Sequence, residues 1–182
     1  MLHRILVCLD HSSMSEQVLP YVSAQARKFG CKVVLLHVCK RDFNSFQIPA
    51  SGQANLVPIE LILKEFTYRW NQAELYLKRI ANVFESEQID IETVVIEGYG
   101  PVAESISIYA KENDIDVIAM ASRGRKGLKR LLLGSVTASL AKMTTIPILL
   151  VKPDSNESDH QLLGWLSEEN RSEIDLDSIP AI

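Results

Sequence analysis

Short apolar runs alternate with helical segments along most of this chain, and that alternation leaves few architectures open to it. Residues 5–9, 32–38, 91–96, 115–120 and 146–151 are dominated by Val, Ile and Leu, the pattern of strands buried on both faces of a parallel sheet. The segments between them read as helices. Ser13-Met-Ser-Glu16 matches a capping box and predicts a helix that ends at Gly30, while Pro20 inside it predicts a kink or a late start. Residues 59–87 carry apolar side chains at positions 59, 62, 63, 66, 70, 73, 77, 80, 81 and 84, the spacing of a long amphipathic helix. Pro101 opens a helix predicted over 101–112, and Ser135 opens another over 135–143. Strands alternating with helices mean a parallel α/β sheet covered on both faces.

Ligands of such sheets bind beyond the carboxyl ends of the strands, where the strand order reverses. Asp10, Val38, Gly98 and Ala121 all fall at predicted carboxyl ends. Residues 40–58, with Pro49, Gly52 and Pro58, read as a long loop at that same end.

The segment after the fourth predicted strand carries the chemistry. Gly124 and Gly134 frame a basic stretch containing Arg123, Arg125, Lys126, Lys129 and Arg130, and Ser135 begins a helix. Glycine admits close backbone approach, and a helix N-terminus offers unpaired N–H donors with positive dipole character, so phosphate is the ligand this arrangement suits best. It is not a P-loop, because no G-x-x-x-x-G-K-[ST] occurs. A dinucleotide-like pattern does occur at Gly98-Tyr-Gly100-Pro-Val-Ala103. It follows the third strand rather than the first, without an acid ending a strand about 20 residues on, and reads as a tight turn into a proline-started helix.

Asp10 has two roles open to it: capping the following helix, or accepting hydrogen bonds from a ribose or an adenine amino group. Ser135 and Thr137 have a similar pair of roles, as helix caps or as phosphate ligands. His11 reads as an exposed turn residue, since no second histidine stands at helical ligand spacing to make a zinc site. Cys8, Cys31 and Cys39 form no C-x-x-C and read as small buried apolar residues. Cys8 and Cys39 are expected near each other, at the carboxyl ends of neighbouring strands.

Charge separates the chain into two parts. Residues 153–182 hold eight acids and one base, a net −7, whereas residues 1–152 hold 18 bases and 15 acids, a net +3. The larger part is too weakly basic, and its basic stretch too poor in aromatic residues, for a nucleic-acid surface. The acidic tail carries Leu162, Leu163, Trp165, Leu166, Ile174, Leu176 and Ile179, and both a solvated and a docked tail are open readings. Without a run of about 18 apolar residues or a signal-peptide pattern, a soluble cytoplasmic protein is expected.

The chain is similar to the universal stress protein family over essentially residues 2–152. The likeness rests on Ile5-Leu-Val-Cys-Leu-Asp10, on Val34-Leu-Leu-His-Val38, on Gly98, and above all on Ala121-x2-Gly124-x9-Gly134-Ser135 followed by residues 146–151. The resemblance implies an open five-stranded parallel sheet of order 3-2-1-4-5 with helices on both faces, of the adenine nucleotide alpha hydrolase-like kind. It implies ATP as ligand, with a divalent cation (Mg or Mn) between phosphate oxygens. By position, Asp10 would meet the ribose or adenine, the Val38 backbone would read the adenine edge, and Cys8, Met120 and Ala121 would line the nucleoside. Arg123, Gly124, Gly127, Gly134, Ser135, Val136 and Thr137 would surround the phosphates. Ala121 stands where the family pattern has its first glycine; at a strand end it is expected to keep a β conformation and be tolerated.

The resemblance also implies a homodimer paired through the last strand, Ile146 to Val151, an apolar run that would otherwise be an exposed edge. A dimeric, ATP-dependent sensor or regulatory module acting on an unidentified partner protein is the leading expectation. A member of the same fold working only through protein contacts, and a slow ATP hydrolase, are the alternatives.

Overall fold

The computed structural model describes residues 2–40, 59–122 and 133–153. Five strands form one parallel sheet: β1 (Arg4–Cys8), β2 (Lys32–Lys40), β3 (Ile91–Gly98), β4 (Val117–Ala121) and β5 (Ile148–Val151), in the order β3-β2-β1-β4-β5. The expected order is the one observed. β1 is central, and its register sets Leu6 beside Val34 on one side and Ile118 on the other.

Alternation along the strands sorts the side chains into two cores. Ile5, Val7, Val33 and Leu35 face α2 (Leu19–Phe29) and α3 (Ile59–Ser86), where Leu77 and Phe84 complete the packing. Leu6, Val34, Leu36 and Ile118 face α4 (Val102–Glu112) and α5 (Ser135–Met143), against Ile106 and Leu140. The α3 stripe at 73, 77, 81 and 84 is buried as its spacing predicts, whereas no residue of its first fourteen is.

The first helical segment is two helices. α1 (Ser13–Glu16) is a single turn, and α2 restarts at Leu19 with Pro20 in its first turn, where the missing N–H would have no partner. The cap is also displaced from its expected place: Ser12, not Ser13, is the N-cap of α1, its Oγ accepting from the Ser15 N–H at 3.1 Å. Gly30 ends α2 in the left-handed region at φ +63°, which glycine enters without strain. β4 begins two residues later than the apolar run suggests, because the Ile115 N–H still bonds back to Ala110 of α4 at 3.1 Å.

Asp116 fastens the opposite, amino edge of the sheet. Its carboxylate accepts from the His3 and Arg4 N–H groups at 2.7 and 2.9 Å, and those bonds hold its pKa below the ordinary 3.8. A lowered folded-state pKa stabilises the fold above the unfolded value and ceases to do so as pH falls through the folded one. Asp116→Asn should therefore be less stable than the wild type at neutral pH, and the gap should close below about pH 4 in urea melts.

Candidate functional site

β1 ends in a polar turn. The Asp10 carboxylate accepts from the Ser12 N–H at 3.1 Å and from the Ser12 hydroxyl, while the Asp10 N–H reaches Ser15 Oγ at 3.3 Å. Asp10 thus braces the residue that caps α1 instead of capping the helix itself. His11 follows with φ +64°, turning the chain from the strand toward α1. It is not an exposed turn residue: its ring stacks on Tyr76 of α3 at 4.1 Å between centroids and meets His37 of β2 edge-on at 4.6 Å. His37 Nδ1 donates to the Leu9 carbonyl at 3.0 Å, and the Tyr76 hydroxyl donates to Glu16 at 2.8 Å. Burial, and then the charge of Glu16, push the Tyr76 phenol well above its usual range, so it remains a donor at any physiological pH. No motif in the sequence marks this cluster, whose members come from the turn after β1, from α1, β2 and α3, and meet only in the fold.

On the other face of the sheet, Cys8, Val38, Met120 and Val136 pack into the core under α4 and α5. Burial drives the Cys8 thiol up to about 12, so it serves as an apolar wall rather than a nucleophile. Cys39 stands at an odd position of β2, like Val33 and Leu35, and so belongs to the opposite face from Cys8. The expected nearness of the two cysteines is therefore corrected, and none of the three cysteines is in a disulfide.

Val38 lies two residues beyond Leu36, which is the last β2 residue registered with β1. Leu36 offers its carbonyl to Leu9, so alternation turns the Val38 backbone toward the same side, past the end of β1. Gly98 makes room for it: a Cβ at 98 would stand 2.8 Å from Val38 Cγ1. Gly98 is needed for this approach and not for a positive φ. Gly98→Ala should cost about 1–3 kcal/mol in chemical denaturation, since the stiff valine must move to admit the methyl.

β4 and α5 meet through a short series of hydrogen bonds. The Ser122 N–H donates to Val151 at 2.7 Å, and the Ser122 carbonyl accepts from the Gly134 N–H at 2.6 Å. Gly134 is the N-cap of α5 at φ −68° and ψ 161°, and no side chain among the described residues caps the helix. Thr137 is buried and its hydroxyl donates to the Ala121 carbonyl at 3.3 Å, which ties the first turn of α5 to the end of β4. This bond is neither of its two expected roles, helix cap or phosphate ligand. Ser135 stays exposed beside the uncapped N–H groups. Ala121 ends β4 in extended conformation, outside the positive-φ residues, so its methyl imposes no backbone strain. Arg123, Gly124 and Gly127, and with them the basic stretch, lie outside the described residues.

The strand order places these groups together. β1 has β2 on one side and β4 on the other, so Asp10, Val38 and the Ala121–Gly134 junction border one stretch of the carboxyl edge at the point where the order reverses. A cavity of about 460 Å³ lies elsewhere, against β3 and α4, lined by Glu97, Glu104, Glu112, Tyr99 and Ile108. Its three carboxylates make it a poor receptor for a phosphate. Among the described residues no three His, Cys, Asp or Glu side chains gather into a metal site.

A model of the universal stress protein family matches residues 1–152. The chain belongs to the universal stress protein family. As a universal stress protein it is 30% identical to Universal stress protein MJ0531 of Methanocaldococcus jannaschii over 155 residues, 85% of this chain and 84% of the relative. The solved structure of MJ0577, from the same organism, superimposes with a TM-score of 0.72 at 26% identity, covering 86% of this chain and 99% of that one. A universal stress protein family protein from Arabidopsis thaliana, solved with AMP bound, matches with a TM-score of 0.55 at 16% identity over 88% of this chain and 98% of that one. At that identity the likeness shows the shared fold. Among the described residues no helix is long and apolar enough to cross a membrane.

Proposed function

We propose that this universal stress protein binds ATP at the carboxyl edge of its sheet and works as a nucleotide-dependent regulatory module. The observation that carries the reading is the uncapped N-terminus of α5, held by Ser122 and Thr137 against the end of β4 at the reversal of strand order. Free N–H groups at a helix start attract phosphate oxygens, and here no side chain among the described residues competes as a cap. Across the edge, the Val38 backbone would meet the adenine, and Asp10, fixed by Ser12, would accept from the ribose or the adenine amino group. Cys8 and Met120, on the α4 and α5 face, would supply the apolar wall beneath, with Ala121 on the opposite face at the strand end. The AMP seen in the Arabidopsis relative supports an adenine nucleotide as the ligand class. The divalent cation would sit among phosphate oxygens, and no residue of this chain is assigned to it.

Homodimerisation is part of the same proposal. Among the described residues β5 pairs only with β4, and Leu150 on it is 39% exposed, so a second copy paired along this edge would cover an open strand. Residues 1–152 would form this unit, with residues 153–182 as an acidic extension. Calorimetric titration of the full chain with ATP and Mg²⁺ tests the reading: saturable binding is expected, and none up to millimolar nucleotide would overturn it.

A further inference from the structure

The stripe that seats α3 on the sheet continues beyond its buried part. The buried positions begin at Ala73 and run to Phe84, and the same helical spacing leads back through Trp70, Phe66, Leu63, Ile62 and Ile59. Ile59 is 67% exposed and Leu63 46%, while Ile62, Phe66 and Trp70 are half-buried. α3 leads from the end of β2 to the start of β3, so it runs against the strands, and its earlier turns lie further toward their carboxyl ends. Tyr76 marks the level at which β1 stops, because its ring stacks on His11 in the turn that follows. From Tyr76 back to Ile59 is about 25 Å of helix. An apolar ridge therefore projects past the end of the central strand, on the same side of the helix as the core stripe.

The acidic tail leaves the sheet from this same edge. The described chain ends at Pro153, just after β5 closes at Val151. Three strand spacings, roughly 14 Å, separate β5 from β2, one of the two strands under α3. Residues 154–161 can span at most about 29 Å, enough to carry Leu162 across that distance and onto the helix. Leu162, Trp165 and Leu166 then stand at i, i+3 and i+4, with Leu163 beside them. So dense an apolar group is foreign to a segment that serves only to be solvated. Charge favours the same contact, since the tail carries a net −7 and residues 1–152 a net +3. A second copy of the chain is the rival occupant. A tethered segment, however, acts at an effective concentration of about millimolar, which a separate molecule does not reach in dilute solution.

We propose that the ridge on the first half of α3 is an intramolecular docking surface for Leu162–Leu166 of the acidic tail. Docking needs no nucleotide, although the path from β5 to α3 passes the ends of β4 and β1, where that ligand is proposed to sit.

Trp70 and Trp165 are the two tryptophans of the chain, so Trp70→Phe in the full chain makes Trp165 the sole tryptophan reporter and keeps the ridge apolar. Its emission should be blue-shifted and several-fold less open to acrylamide quenching than free tryptophan. Both properties should hold over about a hundredfold range of protein concentration, as an intramolecular contact requires. Adding Leu63→Glu should shift the emission to the red and abolish the protection, because a carboxylate within the ridge is costly to bury. Leu61→Glu is the control. Leu61 is 53% exposed and stands about 200° around the helix from Leu63, so it faces away from the ridge and its replacement should leave Trp165 protected. Both sites are exposed, and both variants should keep the wild-type circular dichroism. A fully accessible Trp165 in Trp70→Phe would overturn the proposal. So would equal release by the two glutamates, or release by neither. Protection that grows with protein concentration would assign the ridge to a second copy and overturn it as well.

Discussion

Ser135→Pro should lower ATP affinity by roughly 10- to 100-fold while leaving the melting temperature of the empty protein nearly unchanged. Proline removes the Ser135 N–H and the hydroxyl together, the donors that the first residue of α5 would offer to a phosphate. The helix should tolerate it. Ser135 is the first residue of α5, where an N–H has no partner within the helix and where the proline φ is already helical. Proline also restricts the residue before it to extended conformations, and Gly134 already sits at φ −68° and ψ 161°. The change thus isolates ligand donors from fold stability, which a bulky replacement of Gly134 would not do so cleanly. Titration with ATP and with adenosine, beside thermal melts, checks it; unchanged ATP affinity would mean that the phosphates do not rest on this turn.

The largest effect on stability is expected at Phe84→Ala. Phe84 is the largest of the fully buried side chains and lies on α3 against the core formed with β1 and β2. Truncating a buried aromatic ring forfeits its transfer free energy and leaves a cavity, a loss of about 3–5 kcal/mol. Domains of this kind are stable by only about 5–15 kcal/mol, so the variant should melt far earlier in urea, with its slope preserved. Leu75, on the same helix but 52% exposed, supplies the contrast: Leu75→Ala should stay within about 0.5 kcal/mol of the wild type. A comparable loss at both positions would contradict the packing described for α3.

The sheet and its order were within reach of the sequence because hydrophobic periodicity is a local signal repeated five times, and the family likeness supplied the order. Local chemistry was less legible. A capping box at Ser13 and Glu16 is as good a pattern as the cap found at Ser12, and only the Asp10 carboxylate, which fixes Ser12, decides between them. The two phases of the first helix follow from Pro20, whose presence was plain; a kink or a late start was expected, and the restart at Leu19 depends on how Val18 and Leu19 pack. At the site, Asp10, Val38, Ala121 and the start of α5 follow from strand ends and topology. The His11–Tyr76–His37 cluster does not, because it joins side chains more than 25 positions apart with no motif between them.

The bond between the Ser122 carbonyl and the Gly134 N–H, 2.6 Å long, makes the two ends of the intervening segment neighbours before anything between them is specified. A connection whose ends already meet can change length at slight expense, about 0.6 kcal/mol for each doubling of a flexible loop. The sheet and the start of α5 are thereby insulated from what occupies residues 123–133. If the proposed nucleotide site is right, selection could rewrite ligand preference there without renegotiating the core, and graft experiments that swap this segment between relatives should return folded protein with altered affinity.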